Sequence, residues 1–325
     1  IQPNSTMPSL KDALEQHQIR LYFIAVILAV IMALLIPGTA ALEIGINPAL
    51  ALMLFVTFLQ VPIAELGRAF RNGRFLAALL LTNFLFIPML VAGLLPFLPS
   101  DPMVRLGVLL VLLTPCIDYV VTFAHLGRAD ARLLLASTPA LLVVQMLFLP
   151  IYLRLFLGEK ATDLVQAGPF IQAFVWLIAV PLLLAGFVQL WADRHQTGAK
   201  LAMTLSYLPV PATALVLFIV AATVVPQLGL ATEHVFSVTP FYIIFALCAP
   251  LIGWGMSRLF RLESSAGRAL AFSAGTRNSL VILPLALAVP GAIPILPAII
   301  LTQTLVELLC ELIYIRVISR LGVEH

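Results

Sequence analysis

From Leu21 almost to the C-terminus the sequence keeps returning to apolar stretches of about 18–25 residues, each long enough to cross a hydrocarbon core roughly 30 Å thick as a helix. Backbone polar groups inside a bilayer have no water to bond, so a chain written this way folds as helices or as a closed barrel. Alternating polar and apolar strands are absent, which argues against the barrel. Charged residues make up 10% of the chain and hydrophobic ones 62%, with a mean hydropathy of +1.10, far from the composition of a soluble domain. The fold class is therefore an all-α polytopic membrane protein. The first apolar run follows "KDALEQHQIR" and is not followed by a small-residue cleavage site, so it is expected to be a span and not a signal peptide. Residues 1–6, ahead of Met7, read as a non-native extension.

Breaking the sequence at its polar and Gly/Pro clusters gives about ten spans, near 21–37, 46–65, 75–97, 103–125, 133–157, 168–191, 201–228, 238–257, 267–289 and 294–318. With the N-terminus inside, 14 of the 18 Lys and Arg fall on the inner side, three (Arg105, Arg154 and Lys160) fall outside, and Arg277 is left within a span. Cytoplasmic loops carry the excess of basic residues, so this split predicts ten spans in a plasma (inner) membrane with both termini cytoplasmic. The net charge of +3 then reflects topology and implies no nucleic acid. The hydrophilic loop "GEKATDLVQAG" at 158–168 divides the chain into residues 1–157 and 158–325, five spans each. An odd number per half forces opposite orientations, the inverted-repeat plan of many secondary transporters.

In such folds the binding site is marked by interrupted hydrophobic segments at corresponding places in the two halves. Here the fourth span of each half is the interrupted one, carrying "TPCIDY" at 114–119 and "SAGTRNS" at 273–279. At about 1.5 Å per residue, Asp118 lies roughly 20 Å from Arg105 and Arg277 roughly 14 Å from Arg268, so both clusters fall near the midplane. Pro115 removes a helical donor and clashes with the preceding turn, which predicts a break that frees carbonyls around Val111 and Leu112. Gly275 gives the ninth span the same freedom, with Thr276 and Asn278 available as replacement partners. The bland alternative is two kinked, packed helices.

Asp118, Arg277 and Glu307 are ionisable residues expected at mid-membrane depth, where each must face inward and pair. Asp118 with Arg277 is the expected ion pair, one member from each half; a purely architectural salt bridge is the competing reading. The second carboxylate is then spare and can carry a proton or ligate a cation such as Na⁺. Glu311, one turn beyond Glu307, is read as a structural residue within reach of Arg316 near the cytoplasmic end. Cys116 could be a soft ligand for a thiophilic substrate, with Thr114 and Asn278 supplying neighbouring oxygens; packing is the alternative for this thiol and the preferred reading for Cys248 and Cys310. His125, His195 and His234 fall at helix ends or in loops, no spacing suggests a metal site, and no phosphate-binding glycine loop is present. Cofactors are therefore not expected, and without a nucleophile–base pair neither is an enzyme.

The arrangement resembles the bile acid:sodium symporter superfamily. That resemblance implies a panel domain of spans 1, 2, 6 and 7, a core domain of spans 3–5 and 8–10, and unwound fourth and ninth helices that cross in the core. Within it, "TPCIDYVVTFAHLGRADARL" is similar to the fourth-helix motif of the arsenite-efflux permeases, with Cys116 in the place of their functional cysteine. "LVE" at 305–307 looks like the glutamate-bearing motif of their last helix. Two departures stand out: where those permeases carry an Asn-Asn-Phe-Glu-type stretch, this chain has Thr276, Arg277, Asn278, Ser279 and Leu280, and Asp118 stands near an asparagine that helps bind Na⁺ in the sodium-coupled members. The implied function is proton-coupled efflux of arsenite or antimonite, with Cys116, Thr114, Asp118, Arg277 and Asn278 binding substrate and Asp118 and Glu307 coupling it to H⁺. The alternative is Na⁺-coupled symport of an organic anion held by Arg277. The partners expected are this small-molecule or oxyanion substrate and membrane lipid, for a monomer or homodimer.

Overall fold

In a computed structural model of the chain, residues 10–60, 72–117, 119–158, 167–226 and 231–322 are described. Their regular structure is helical apart from one isolated antiparallel bridge. In chain order the helices are α1 (Leu10–Leu35), α2 (Ile46–Phe58), α3 (Gly73–Phe97), α4 (Pro102–Leu112), α5 (Val120–Leu126), α6 (Ala131–Leu157), α7 (Ile171–Arg194), α8 (Gln196–Leu205) and α9 (Pro209–Val224). Then follow α10 (Thr232–Leu259), α11 (Ser264–Gly275), α12 (Ser279–Leu287) and α13 (Ile295–Val317).

Among the described residues seven helical segments are long and apolar enough to cross a membrane: α1, the Thr39–Phe58 segment that ends in α2, α3, α6, α7, α10, and the Ile295–Arg320 segment that contains α13. α8 and α9, bent by 44° at their junction, make an eighth if they are one span. The polytopic all-helical plan read from the sequence is thus present. Large apolar side chains also cover the outside, with Leu34 of α1 74% exposed, Phe187 of α7 66% and Leu251 of α10 69%. A helix that is apolar on its outer face as well belongs in lipid.

The chain divides into two compact units, one made of Ile1–Gln60 and Trp176–Pro226, the other of Val61–Val175 and Gln227–His325. In the first, Leu50, Met53 and Leu54 of α2 and Val216, Leu217 and Val220 of α9 are buried. The last carbonyls of a helix have no intrahelical donor. Here Gln189 of α7 meets that need for α2, donating from Nε2 to the Phe58 and Leu59 carbonyls at 3.2 and 3.0 Å.

The second unit carries the polar residues singled out above. α4 begins where Asp101 accepts from the Met103 and Val104 amides at 2.8 and 3.1 Å, with Pro102 next in line, and α6 where Asp130 accepts from the Arg132 amide at 3.2 Å. Small residues let the helices approach closely, since a Cβ on Gly253 of α10 would lie 2.8 Å from the Leu270 carbonyl oxygen of α11. α3 is interrupted by a π-helical turn at Thr82–Phe86. Tyr152 of α6 donates to the Phe84 carbonyl at 2.5 Å, and the turn carries the fully buried Asn83.

Candidate functional site

α4 ends at Leu112 and α5 begins at Val120, and α11 ends at Gly275 and α12 begins at Ser279. The first interruption runs from Leu113 to Tyr119 and the second covers Thr276–Asn278. The two breaks meet. Pro115 and Arg277 form an antiparallel bridge, in which the Cys116 amide donates to the Thr276 carbonyl at 3.1 Å and the Asn278 amide donates to the Thr114 carbonyl at 2.9 Å. Both bonds flank the central pair, so Pro115 occupies a position of the bridge where no N–H is used. A residue that breaks the helix therefore costs the bridge nothing.

Joining the breaks diverts three amides from their helices. In a continued helix the amides of Cys116, Arg277 and Asn278 would serve the carbonyls of Leu112, Ser273 and Ala274. Instead Cys116 and Asn278 bond across the bridge, and the Arg277 amide donates to Glu307 Oε2 at 2.7 Å. The Arg277 guanidinium takes over all three carbonyls, from Nη2 to Ser273 at 2.7 Å and Ala274 at 2.8 Å and from Nη1 to Leu112 at 3.3 Å. Nη2 also meets Asn83 Oδ1 at 2.9 Å, and Asn83 is oriented by donating from Nδ2 to Ser273 Oγ at 3.0 Å and the Leu79 carbonyl at 3.1 Å. The cation lies over the Phe245 ring at 5.4 Å. It is fully buried, and it sits where the negative C-terminal ends of α4 and α11 converge.

Two carboxyl groups from α13 complete the cluster. Glu307 accepts from Tyr119 Oη at 2.6 Å, from Gln303 Nε2 at 2.6 Å and from the Arg277 amide. Glu311 is fully buried, with Oε1 at 2.6 Å from Thr276 Oγ1 and Oε2 without a hydrogen-bond partner among the described residues. Thr114 and Thr276 close the last turns of α4 and α11 with their hydroxyls, on the Leu110 carbonyl at 2.9 Å and the Phe272 carbonyl at 2.7 Å. A small cavity of about 10 Å³ adjoins the crossing, lined by Leu112, Phe245, Gln303 and Glu307 among others. Among the described residues Arg277 Nε, Asn278 Nδ2 and Gln303 Oε1 find no partner, an unusual concentration of unmet polar atoms for one place.

Of the residues expected from the sequence, Thr114, Pro115, Cys116, Arg277, Asn278 and Glu307 come together here, and Asp118 lies outside the described residues. Cys116 is fully buried. Gly275 ends α11 beside the break, and what its missing Cβ supplies is room: a Cβ would lie 2.8 Å from Pro250 Cγ and 2.9 Å from Tyr314 Cε2. The expectation for Glu311 is corrected, because it turns inward onto Thr276; among the described residues the only ion pair is Lys11–Glu15 at 3.8 Å. Asn83, Tyr119, Ser273 and Gln303 were not anticipated. Asn83 could have been, as a lone amide inside the apolar run "LTNFLF". Among the described residues no group of three or more His, Cys, Asp or Glu side chains is placed to hold a metal ion.

Residues 47–234, more than half of the chain, match the model of the sodium bile acid symporter family. The chain belongs to that family. The match takes in α4 and α5 with the first break and ends before α11, so the Arg277 side of the crossing lies beyond it. That family is one of transporters, which points to a secondary transporter, sodium-coupled or of a related kind. No curated protein matches the chain.

Proposed function

We propose that this member of the symporter family exports arsenite or antimonite in exchange for protons. The observation that carries the reading is the place of Cys116: its amide is bonded into the crossing of two broken helices, in the same cluster as two buried carboxyl groups. A thiol there is a soft ligand for a neutral arsenic(III) acid, and one thiol with nearby oxygens releases its substrate more readily than three thiolates would. Protonation of a carboxyl group in the cluster favours one arrangement of the crossing over another, which is the differential interaction that coupling needs. Cys116 is reached when the crossing rearranges, as in an alternating-access cycle.

The topology that goes with this reading has ten spans. The seven long segments, the α8–α9 pair and the two broken helices, α4–α5 and α11–α12, account for them. They form two inverted repeats, 1–157 and 158–325, in a plasma (inner) membrane with both termini cytoplasmic. Spans 1, 2, 6 and 7 serve as the panel and spans 3–5 and 8–10 as the moving core, a division supported by the two compact units of the chain. The transporter works as a monomer or homodimer.

Sodium-driven symport of an organic anion is the second reading, favoured by the family's own description. Against Arg277 as the anion binder stands its guanidinium, whose Nη atoms are already occupied by three carbonyls and Asn83. Everted vesicles under an imposed pH gradient separate the two. Arsenite accumulation that needs the gradient and Cys116, and is indifferent to sodium, is the expected result. Accumulation that survives Cys116→Ser, or none at all in vesicles containing folded protein, overturns the arsenite reading; sodium-dependent ligand stabilisation would then favour the second.

A further inference from the structure

Glu307 and Glu311 are one helical turn apart on α13 and both are buried, yet their surroundings are opposite in kind. Glu307 is met by two N–H donors, the Gln303 amide and the Arg277 backbone, and by the Tyr119 hydroxyl at 2.6 Å, which lies farther, at 3.2 Å, from its other acceptor, the Arg277 carbonyl. A carboxylate is what three donors hold. Glu311 is met by the Thr276 hydroxyl, and the protons there can be counted. Thr276 Oγ1 lies 2.7 Å from the Phe272 carbonyl oxygen and 2.6 Å from Glu311 Oε1. A hydroxyl has one hydrogen and a carbonyl has none to give. Were Glu311 ionised, two short O···O contacts would share a single proton between two acceptors. With a neutral Glu311 each contact has its own: the carboxylic O–H donates to Thr276 Oγ1, and the Thr276 hydroxyl donates to Phe272.

Charge gives the same answer by a separate route. Among the described residues of the cluster, Arg277 and Glu307 cancel, and an ionised Glu311 would leave an uncompensated negative charge in a fully buried site with one oxygen unpartnered. Among the described residues the titratable groups that face Glu311 are Glu307, Cys310 and Tyr314, all on α13 and none of them a second cation. Thr276, for its part, is the residue whose carbonyl accepts the Cys116 amide.

We infer that Glu311 is the proton-binding residue of this transporter, a carboxylic acid in the conformation seen here, while Glu307 remains an ionised anchor. The inference rests on the secondary-transport reading and names the group that serves it. A hydronium ion on the side to which the crossing is open gives its proton to the Glu311 carboxylate, leaving water and a neutral acid that closes onto Thr276. When the crossing opens to the other side, the Glu311 O–H leaves Thr276 and passes its proton to water there. The Thr276–Cys116 bond of the bridge is one link from this acid, so proton binding and the state of the substrate thiol are joined through a single residue.

Infrared difference spectroscopy on the purified full-length protein tests the proton directly and without any substrate. At neutral pH the wild type is expected to show a C=O band of a protonated carboxyl group that shifts in D₂O, is lost in Glu311→Gln and survives in Glu307→Gln. The side-chain amide introduced by Glu311→Gln can still donate to Thr276, so this variant is expected to fold and to melt with the wild type. No protonated-carboxyl band, or one lost in Glu307→Gln and kept in Glu311→Gln, overturns the assignment whatever the substrate proves to be. In vesicles, Glu311→Gln is expected to lose pH-driven accumulation of arsenite; retained pH-driven accumulation overturns the coupling role even with the band in place. If wild-type vesicles move no arsenite, that reading alone fails, and the infrared result still decides where the proton is.

Discussion

Arg277→Met keeps the length and the apolar stem of the side chain and deletes the guanidinium. Three buried carbonyls, Leu112, Ser273 and Ala274, then have neither their helical amide nor a substitute, and Asn83 Oδ1 loses its donor as well. A buried acceptor left unmet costs about 1–3 kcal/mol, which for three carbonyls is about 3–9 kcal/mol. Relief from burying a cation offsets part of this. Glu307, losing its compensating charge, pulls the other way. A net loss of roughly 3–6 kcal/mol is expected, a large share of a typical stability of about 5–15 kcal/mol. At about 2 °C per kcal/mol, near the lower end for larger chains, the melting temperature in detergent falls by roughly 6–12 °C. Arg277→Lys, with one ammonium in place of a flat fork, should fall between the two because it keeps the charge but cannot span both helix ends. The assay is thermal unfolding of the purified variants followed by intrinsic fluorescence. A Met variant melting within about 2 °C of wild type would refute the idea that the guanidinium substitutes for diverted backbone donors.

Further consequences can be checked on the same instrument. Gly275→Ala drives a Cβ into Pro250 and Tyr314 and is expected to cost about 1–3 kcal/mol, seen as a lower melting temperature; an unchanged one would mean that α10 and α13 yield without strain. Asn83→Ala removes the side chain that joins Leu79, Ser273 and Arg277 and should cost about 1–3 kcal/mol, with Asn83→Leu no better, because volume is not what is missing. Asp101→Ala strips the N-cap of α4 and should cost about 1 kcal/mol, with Asp101→Ser recovering most of it.

The sequence is explicit about what the bilayer demands and nearly silent about what happens inside it. Apolar runs must be helical whatever they pack against, so the seven long apolar segments among the described residues were readable one by one. Pro115 announced its break because a missing N–H and a ring clash are local facts. The meeting of "TPC" with "TRN" was suggested by matching positions in the two halves, but the register was not: that Pro115 faces Arg277 follows from backbone pairing 162 positions apart. The partners of Arg277 were harder still. Charge counting looks for a carboxylate, and the one it named, Asp118, lies outside the described residues; the described partners include three carbonyls of a kind every residue possesses, so no side-chain pattern reveals them. Glu311 was misjudged by distance along the sequence: nearness to Arg316 suggested a pair, while rotation about α13 turns the carboxyl group to Thr276. Gly275 looked like a hinge in a list of letters, and only its neighbours in space show that it is a gap.

The cage around Arg277 has an electrical consequence. Membrane voltage does work only on charge that crosses the field, about 2.3 kcal/mol per elementary charge per 100 mV. A cation bound in a pocket and released on the far side is such a charge, but a guanidinium fastened to the backbone returns with its helix at the end of every cycle. The positive end needed to quiet two converging helix termini is thus supplied without adding to the current. The electrogenicity of each turnover is set by the mobile species alone.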